Sequence, residues 1–285
     1  MDNSSLQCIN LNSIETRYSE LSSSILRTPT TKLSSPVLRD LIKKSEIYLK
    51  LECFQHSGTF KARGALSVTK QIIKENKKFG ITAASAGNHA IAAAWAAKVE
   101  KLSAKVVMQT SANPYRVSLA KTYGAEIIMK EGGLAAFAEA DRLMREENRT
   151  FIHPFDGIDT TLGSAGVGLE LIEDYSDLDA VVVAVGGGGL ISGVAAAVKL
   201  KNNNCKIYGV EPIGANSMAQ SIKVGKPVTL NSIDTIADSL APPMALPFSY
   251  SVCKKFVDEF VNVTDDQICA GLSLFQEEGK LAVEP

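Results

Sequence analysis

Three short segments combine residue types and spacings that could carry chemistry. The first is Glu52-Cys53-Phe54-Gln55-His56-Ser57-Gly58-Thr59-Phe60-Lys61-Ala62-Arg63-Gly64-Ala65. An apolar run ends there, a polar turn with a glycine follows, and helical character begins near Phe60. Lys61 therefore falls at the carboxyl end of a strand, beside a helix N-terminus. The positive end of a helix dipole favours the neutral form of an amine, and a neutral amine is what a Schiff-base lysine needs. The competing reading is a solvated surface lysine, since lysines are mostly exposed. The second segment, Ser85-Ala86-Gly87-Asn88-His89, follows the apolar run Ile81–Ala84. Small residues at a strand-to-helix turn let the backbone approach a ligand, and free N–H groups at a helix start can bind a carboxylate. A plain turn capped by Ser85 or Asn88 would read the same way. In the third, the buried-strand pattern Val181–Val185 runs into Gly186, Gly187, Gly188 and Gly189, then Leu190 and a helical stretch. Consecutive glycines expose successive N–H donors with no Cβ in the way, which makes a nest for a phosphate.

The third segment also feeds a rival reading. Gly187, Gly189 and Gly193 read as GxGxxxG, and the next strand ends on the acid Glu211, as in a dinucleotide site. The strict GxGxxG spacing fails, however, and a nicotinamide reading leaves the other two segments unexplained.

The elements that must position these residues alternate along the chain. Strand patterns fall at Ile47–Leu51, Lys105–Met108, Glu126–Met129, Ala180–Val185, Lys206–Val210 and Phe260–Val263. Helical patterns fall at Ala90–Lys98, Pro114–Tyr123, Leu134–Glu147, Leu190–Leu200 and Asp265–Glu278, with Pro114 suited to a first turn and Thr264 to an N-cap. Such alternation predicts an α/β fold with mainly parallel sheets covered on both faces. His153-Pro154-Phe155-Asp156-Gly157 reads as a hinge between two lobes. Ligands in such folds settle at the carboxyl ends of strands.

Composition excludes several classes. The chain has 285 residues and a net charge of -1, so it has no basic excess for nucleic acid. Its 5 cysteines form no CxxC pair, which predicts a reducing compartment and neither a zinc site nor a disulfide framework. No signal peptide or membrane-spanning run is found, so a cytoplasmic protein is expected.

Taken in order, the three segments resemble the tryptophan-synthase-β-like, or fold type II, pyridoxal-phosphate enzymes, and within them the threonine/serine dehydratase and serine racemase family. Further matches are Arg27-Thr28-Pro29, His153-Pro154-Phe155-Asp156, Thr235-Ile236-Ala237-Asp238 and Lys280-Leu281-Ala282-Val283-Glu284-Pro285. The resemblance implies two lobes, each a mainly parallel sheet flanked by helices. Residues 1–76 and 155–285 would form the larger, cofactor-binding lobe and residues 77–154 a small mobile one. It implies pyridoxal 5'-phosphate held by Phe60, Lys61, Asn88, Gly186, Gly187, Gly188, Gly189, Leu190 and Glu284. Lys61 is then the Schiff-base lysine, Phe60 packs on the ring and Asn88 faces the ring oxygen. The substrate would be held by Ser85, Ala86, Gly87, Asn88 and His89, with Lys61 and Ser85 in the catalytic set. The implied activity is an ammonia-lyase removing water from a small β-hydroxy amino acid such as threonine or serine, leaving a 2-oxo acid and ammonia. A homodimer is the usual family assembly.

Departures from the family pattern bear on the substrate side. Ala86 stands where racemases place a second serine as acid/base, which favours elimination over racemisation. Ile91 stands where glutamine is common, Gly163-Ser164-Ala165-Gly166 where Gly-Gln-Gly-Thr is common, and Ser239 where glycine is usual. Some members bind a divalent cation near Glu211 and Ala215; Ser217 stands where an aspartate ligand would, and no metal is expected. The family continues past Pro285 with a further strand and helix that normally bring a hydroxyl or thiol to the ring nitrogen; only if the protein ended at Pro285 would the sheet have an exposed edge and the cofactor lack that anchor. The alternatives are a racemase or β-replacing synthase on the same fold, a non-catalytic cofactor-binding scaffold, and a nicotinamide-dependent oxidoreductase.

Overall fold

A computed structural model describes residues 3–38, 43, 45–77 and 79–285. β1 (Thr30–Leu33) and β2 (Ile47–Lys50) pair antiparallel, with Thr30 opposite Lys50. β3 (Ile81–Ala84), β4 (Ala104–Gln109), β5 (Glu126–Lys130) and β6 (Thr150–Phe151) form a parallel sheet in the order β5-β4-β3-β6. β7 (Ala180–Ala184), β8 (Lys206–Pro212) and β9 (Glu259–Val263) form a second parallel sheet in chain order. The helices are α1 (Asn3–Gln7), α2 (Leu11–Leu21), α3 (Lys61–Lys74), α4 (Asn88–Val99), α5 (Pro114–Thr122), α6 (Gly132–Glu147), α7 (Ile158–Asp174), α8 (Gly189–Lys201), α9 (Ser217–Val224), α10 (Pro247–Phe256) and α11 (Asp265–Glu277). Every strand and helix expected from the pattern is present, with ends displaced by one or two residues. The fold is thus α/β and two-lobed, each lobe a parallel sheet flanked by helices. Among the described residues, no helix is long and apolar enough to cross a membrane.

Local chemistry sets several of these ends. Thr264 caps α11 reciprocally: its hydroxyl accepts from Gln267 N at 3.2 Å, and the Gln267 side chain accepts from Thr264 N at 2.9 Å. Pro114 opens α5, where a missing N–H costs nothing, and Asn113 Oδ1 accepts from Tyr115 N at 2.9 Å.

α7 has no counterpart in the sequence reading, and its packing explains why. Thr160 through Leu171 are all buried, so there is no polar face to generate a 3.6-residue rhythm. Its small residues let it lie between α3 and α8. A Cβ on Gly163 would stand 2.5 Å from Arg63 O and 2.8 Å from Gly64 Cα. On the other side, a Cβ on Gly193 of α8 would stand 2.4 Å from Ala165 N. This close three-helix contact fixes the start of α3 against the start of α8, and with it Lys61 against the glycine segment. α3 also contributes Ala62, Ala65, Leu66 and Ile72 to the core that includes Ile81, Ala93 and Val106 of the four-stranded sheet and its helices. A separate core of Val181, Val183, Ile191, Ile207 and Phe248 fills the other lobe.

Candidate active site

Lys61 is the first residue of α3, and the loop before it is tightly held. Gln55 is buried; its amide donates to Leu26 O at 2.7 Å and accepts from Leu26 N and His56 N, each at 3.0 Å. Ser57 then takes a left-handed conformation (φ 62°) that only its surroundings can sustain. The turn delivers Lys61 into a closed space of about 10 Å³, lined also by Phe60, His89, His153, Pro154, Ser164 and Gly189. That volume holds about one water. Lys61 Nζ donates to Pro154 O at 2.6 Å and lies 5.1 Å from the centre of the Phe60 ring. Burial lowers its pKa from 10.5 to about 8. Desolvation is the cause, where the sequence alone pointed to the helix dipole. The structure therefore rejects a solvated surface lysine.

Two histidines share this space and both are neutral. Burial, then the nearby Lys61 charge, lowers His89 to about 3, although its bond to Ile152 O opposes the shift. The same two causes bring His153 to about 4. Their ring nitrogens are engaged: His89 Nε2 with Ile152 O at 2.8 Å, and His153 Nδ1 as acceptor from Phe155 N at 3.2 Å and Asp156 N at 2.9 Å.

The Ser85–His89 loop leaves the carboxyl end of β3 and opens α4. Neither Ser85 nor Asn88 caps the helix, contrary to one reading of the sequence. Gly87 is the N-cap residue and supplies no side-chain bond. Ser85 Oγ instead accepts from Gly87 N at 3.1 Å, closing the turn on itself. Among the described residues the N–H groups of Asn88 and His89 have no partner, as a carboxylate-binding helix start requires. Ala86 packs partly buried on the core of the four-stranded sheet.

At the carboxyl end of β7, the N–H groups of Gly186, Gly187, Gly188, Gly189 and Leu190 likewise have no internal partner among the described residues. The surroundings forbid side chains there. A Cβ on Gly187 would stand 2.1 Å from Phe155 Cγ, and one on Gly189 would stand 2.7 Å from Phe155 O. Gly188 has φ +88°, a left-handed conformation that favours glycine. A run of unpaired donors at a helix N-terminus fits a phosphate, and Gly189 also lines the space around Lys61. Amine, ring-flanking Phe60 and phosphate nest are therefore contiguous, and these residues fit pyridoxal phosphate.

Glu284 meets Asn88 across the cleft: Asn88 Nδ2 donates to Glu284 Oε2 at 2.6 Å. Glu211 is fully buried and accepts from Met218 N at 2.9 Å and Ala219 N at 2.7 Å, so its oxygens serve the start of α9. Burial, partly offset by these two bonds, raises its pKa to about 7. The Ser217 hydroxyl is buried without a partner.

Sequence reasoning assigned no role to Arg63, Gln55 or Arg116, and it placed Pro154 only in the hinge, not beside Lys61. Arg63 is fully buried between two carboxylates. Its Nε and Nη2 each reach Glu52 at 2.8 Å, while Nη1 and Nη2 reach Glu170 at 2.7 and 2.9 Å. This clamps the first turn of α3 to the end of β2 and to α7. The signal was an arginine two residues after Lys61, a position too common to interpret alone.

Comparison with known proteins agrees with this geometry. The profile of the family described as pyridoxal-phosphate dependent enzymes matches residues 21–285. The chain is 46% identical over 239 residues to a phenylserine dehydratase from Ralstonia pickettii, covering 84% of this chain and 73% of that protein. It is 36% identical over 241 residues to an L-threonine ammonia-lyase from Thermotoga maritima, covering 84% of this chain and 60% of that protein. Among solved structures, maize serine racemase superposes with a TM-score of 0.92 at 34% identity, covering 97% of this chain and 83% of that one. The threonine deaminase from T.th. superposes with a TM-score of 0.90 at 31% identity, covering 97% of this chain and 89% of that one. These neighbours are fold type II enzymes.

Proposed function

The chain belongs to the pyridoxal-phosphate-dependent enzymes, and on that premise we propose that it is an ammonia-lyase removing water from a β-hydroxy amino acid of the threonine/serine type, leaving a 2-oxo acid and ammonia. The carrying observation is that the space around Lys61 offers one working base. Lys61 has a pKa of about 8, whereas His89 and His153, at about 3 and 4, are neutral and held by backbone bonds. Racemisation needs an acid on the opposite face of the substrate, and Ala86 brings no hydroxyl to the loop. Elimination can run on one side chain, because the proton that Lys61 takes from Cα can be returned to the departing β-hydroxyl, which leaves as water. The similarity to a phenylserine dehydratase and to threonine ammonia-lyases supports the same reading. The similarity to serine racemases favours a second, weaker reading as a racemase.

Each residue set has a task under this reading. Lys61 Nζ would hold the cofactor and is the group placed to take the proton from Cα. The glycine-loop N–H groups and that of Leu190 would hold the phosphate, with Phe60 beside the ring. The free N–H groups of Asn88 and His89, with Ser85, Ala86 and Gly87 shaping the turn, bind the substrate carboxylate. Pyridoxal phosphate, when bound, supplies the electron sink that makes the Cα proton removable. Pro154 O receives Lys61 Nζ between these tasks and keeps the amine aimed. Residues 1–76 and 155–285 would carry the cofactor and residues 77–154 would move over it.

The test is a 2-oxo acid assay of the purified protein on threonine, serine and phenylserine, with Lys61→Ala alongside. Oxo acid from one of them, abolished in the variant, is expected. Inversion of serine without oxo acid would overturn the lyase assignment in favour of the racemase.

A further inference from the structure

Arg116 stands on α5 of the small lobe and belongs to no motif, yet it anchors a network across the cleft. Its Nη2 donates to Glu284 Oε1 at 2.9 Å, and its Nη1 lies 3.5 Å from Asp238 Oδ2. The other Glu284 oxygen accepts from Asn88 Nδ2 at 2.6 Å and from Ser239 Oγ at 3.3 Å. Ser239 Oγ also lies 3.2 Å from Asp238 Oδ1, so its single O–H is shared between the two carboxylates. The guanidinium lies directly on the Ser85–His89 loop, since a Cβ built on Gly87 would stand 3.2 Å from Arg116 Nη1.

We propose that Arg116 is a positioning residue: paired across the cleft with Glu284, it sets the orientation in which Asn88 presents its amide to the cofactor ring. The inference rests on the assignment of Asn88 to the ring. An asparagine amide can present either its oxygen or its NH2 group, and the two ends have opposite hydrogen-bonding characters. An oxygen-bearing ring needs the NH2 end. A carboxylate accepting one N–H of Asn88 fixes which end faces the large lobe and leaves the second N–H of the same nitrogen for the ligand. The bond to Glu284 is charge-assisted, hence stronger than a neutral one. Glu284 is itself 48% exposed and would rotate freely if nothing held it. Arg116 and Ser239 each take one of its oxygens. Ser239 is thus the residue that converts a departure from the family pattern into a hydrogen bond.

Pyridoxal phosphate titrated into the cofactor-free protein, followed by its visible absorption, gives both an affinity and a band position. Asn88→Ala tests the underlying assignment and should weaken binding at least about tenfold, with a displaced band. Arg116→Gln and Glu284→Gln should each weaken it about two- to tenfold and displace the band in the same sense, the modest size following from the exposure of the pair. The double variant should be no worse than Glu284→Gln alone, because both act through one carboxylate. Thermal stability should be unchanged to within a few degrees, which a scaffolding role would not give. An Asn88→Ala effect with Arg116→Gln binding like wild type, or multiplying effects in the double variant, would overturn the inference while leaving the Asn88 assignment intact. No effect of Asn88→Ala would overturn that assignment and the inference with it. Hydrogen exchange of the peptide spanning residues 85–89, measured without cofactor, reads the network itself: severalfold faster exchange in Arg116→Gln is expected, and unchanged exchange would refute it.

Discussion

Raising the pH should titrate Lys61 near 8 rather than near 10.5. Because the neutral amine is the reactive form, this has a measurable consequence. At pH 7 an amine of pKa 10.5 is neutral in roughly 0.03% of molecules, and one of pKa 8 in roughly 9%, a ratio of about 300. The perturbation is pH itself, applied to cofactor-free protein in short pulses of reductive methylation. The assay is peptide mass spectrometry of the segment carrying Lys61, from pH 6 to pH 11. The rate should rise about tenfold per unit up to pH 8 and then level off. A rate still climbing tenfold per unit through pH 9 and pH 10 would refute the argument that the space lined by Phe60, His89 and Pro154 excludes enough water to lower the pKa of the amine. It would also weaken the case for Lys61 as the proton carrier at neutral pH, since that role needs a working pKa near the operating pH.

Four further perturbations probe other parts of the site. Gly187→Ala would drive a methyl to 2.1 Å from the Phe155 ring; cofactor affinity measured by absorption should fall by at least about tenfold, and retention of wild-type affinity would exclude the loop as the phosphate site. Arg63→Met removes the shared cation and leaves Glu52 and Glu170 facing each other; chemical denaturation should report a loss of about 3–5 kcal/mol. His89 and His153 have folded pKa values of about 3 and 4, below the ordinary 6.5. The unfolded chain therefore binds more protons between pH 6.5 and pH 4, and stability measured by urea denaturation should fall as pH falls through that window, with a shallower slope in His153→Asn. Glu211 is shifted the other way, up to about 7 from 4.5, so its own contribution to stability declines as pH rises from 4.5 to 7 and partly offsets that of the two histidines. Glu211→Gln should therefore steepen the net loss of stability as pH falls through that range, and an unchanged slope would refute the buried-carboxyl account.

The unpaired donors of the Gly186–Gly189 and Ser85–His89 segments were legible as residues because their geometry is local. Four successive glycines after Val185 expose N–H groups whatever lies elsewhere, and a strand–turn–helix passage at Ser85–His89 leaves donors free by the geometry of any helix start. The competing reading, a plain turn capped by Ser85 or Asn88, fails because residue type permits capping but the Ser85 hydroxyl accepts from Gly87 N instead. α7 was invisible because burial on every side erases amphipathic rhythm, leaving small residues whose purpose appears only against α3 and α8. Arg63 and Arg116 were two among many charged residues until their partners were in place.

By itself the sequence determined the alternation of strands and helices, the free N–H donors at two helix starts, and the lysine that could hold a carbonyl cofactor. These follow from spacings of a few residues, over which backbone geometry repeats with fixed periods. Only the tertiary structure decided that burial lowers the Lys61 pKa and that the amine is aimed at Pro154, 93 positions away. It alone decided that Asn88 meets Glu284, 196 positions away, under the hold of Arg116. Charge state and orientation depend on which distant groups exclude water or supply a counter-charge, and no local spacing encodes that.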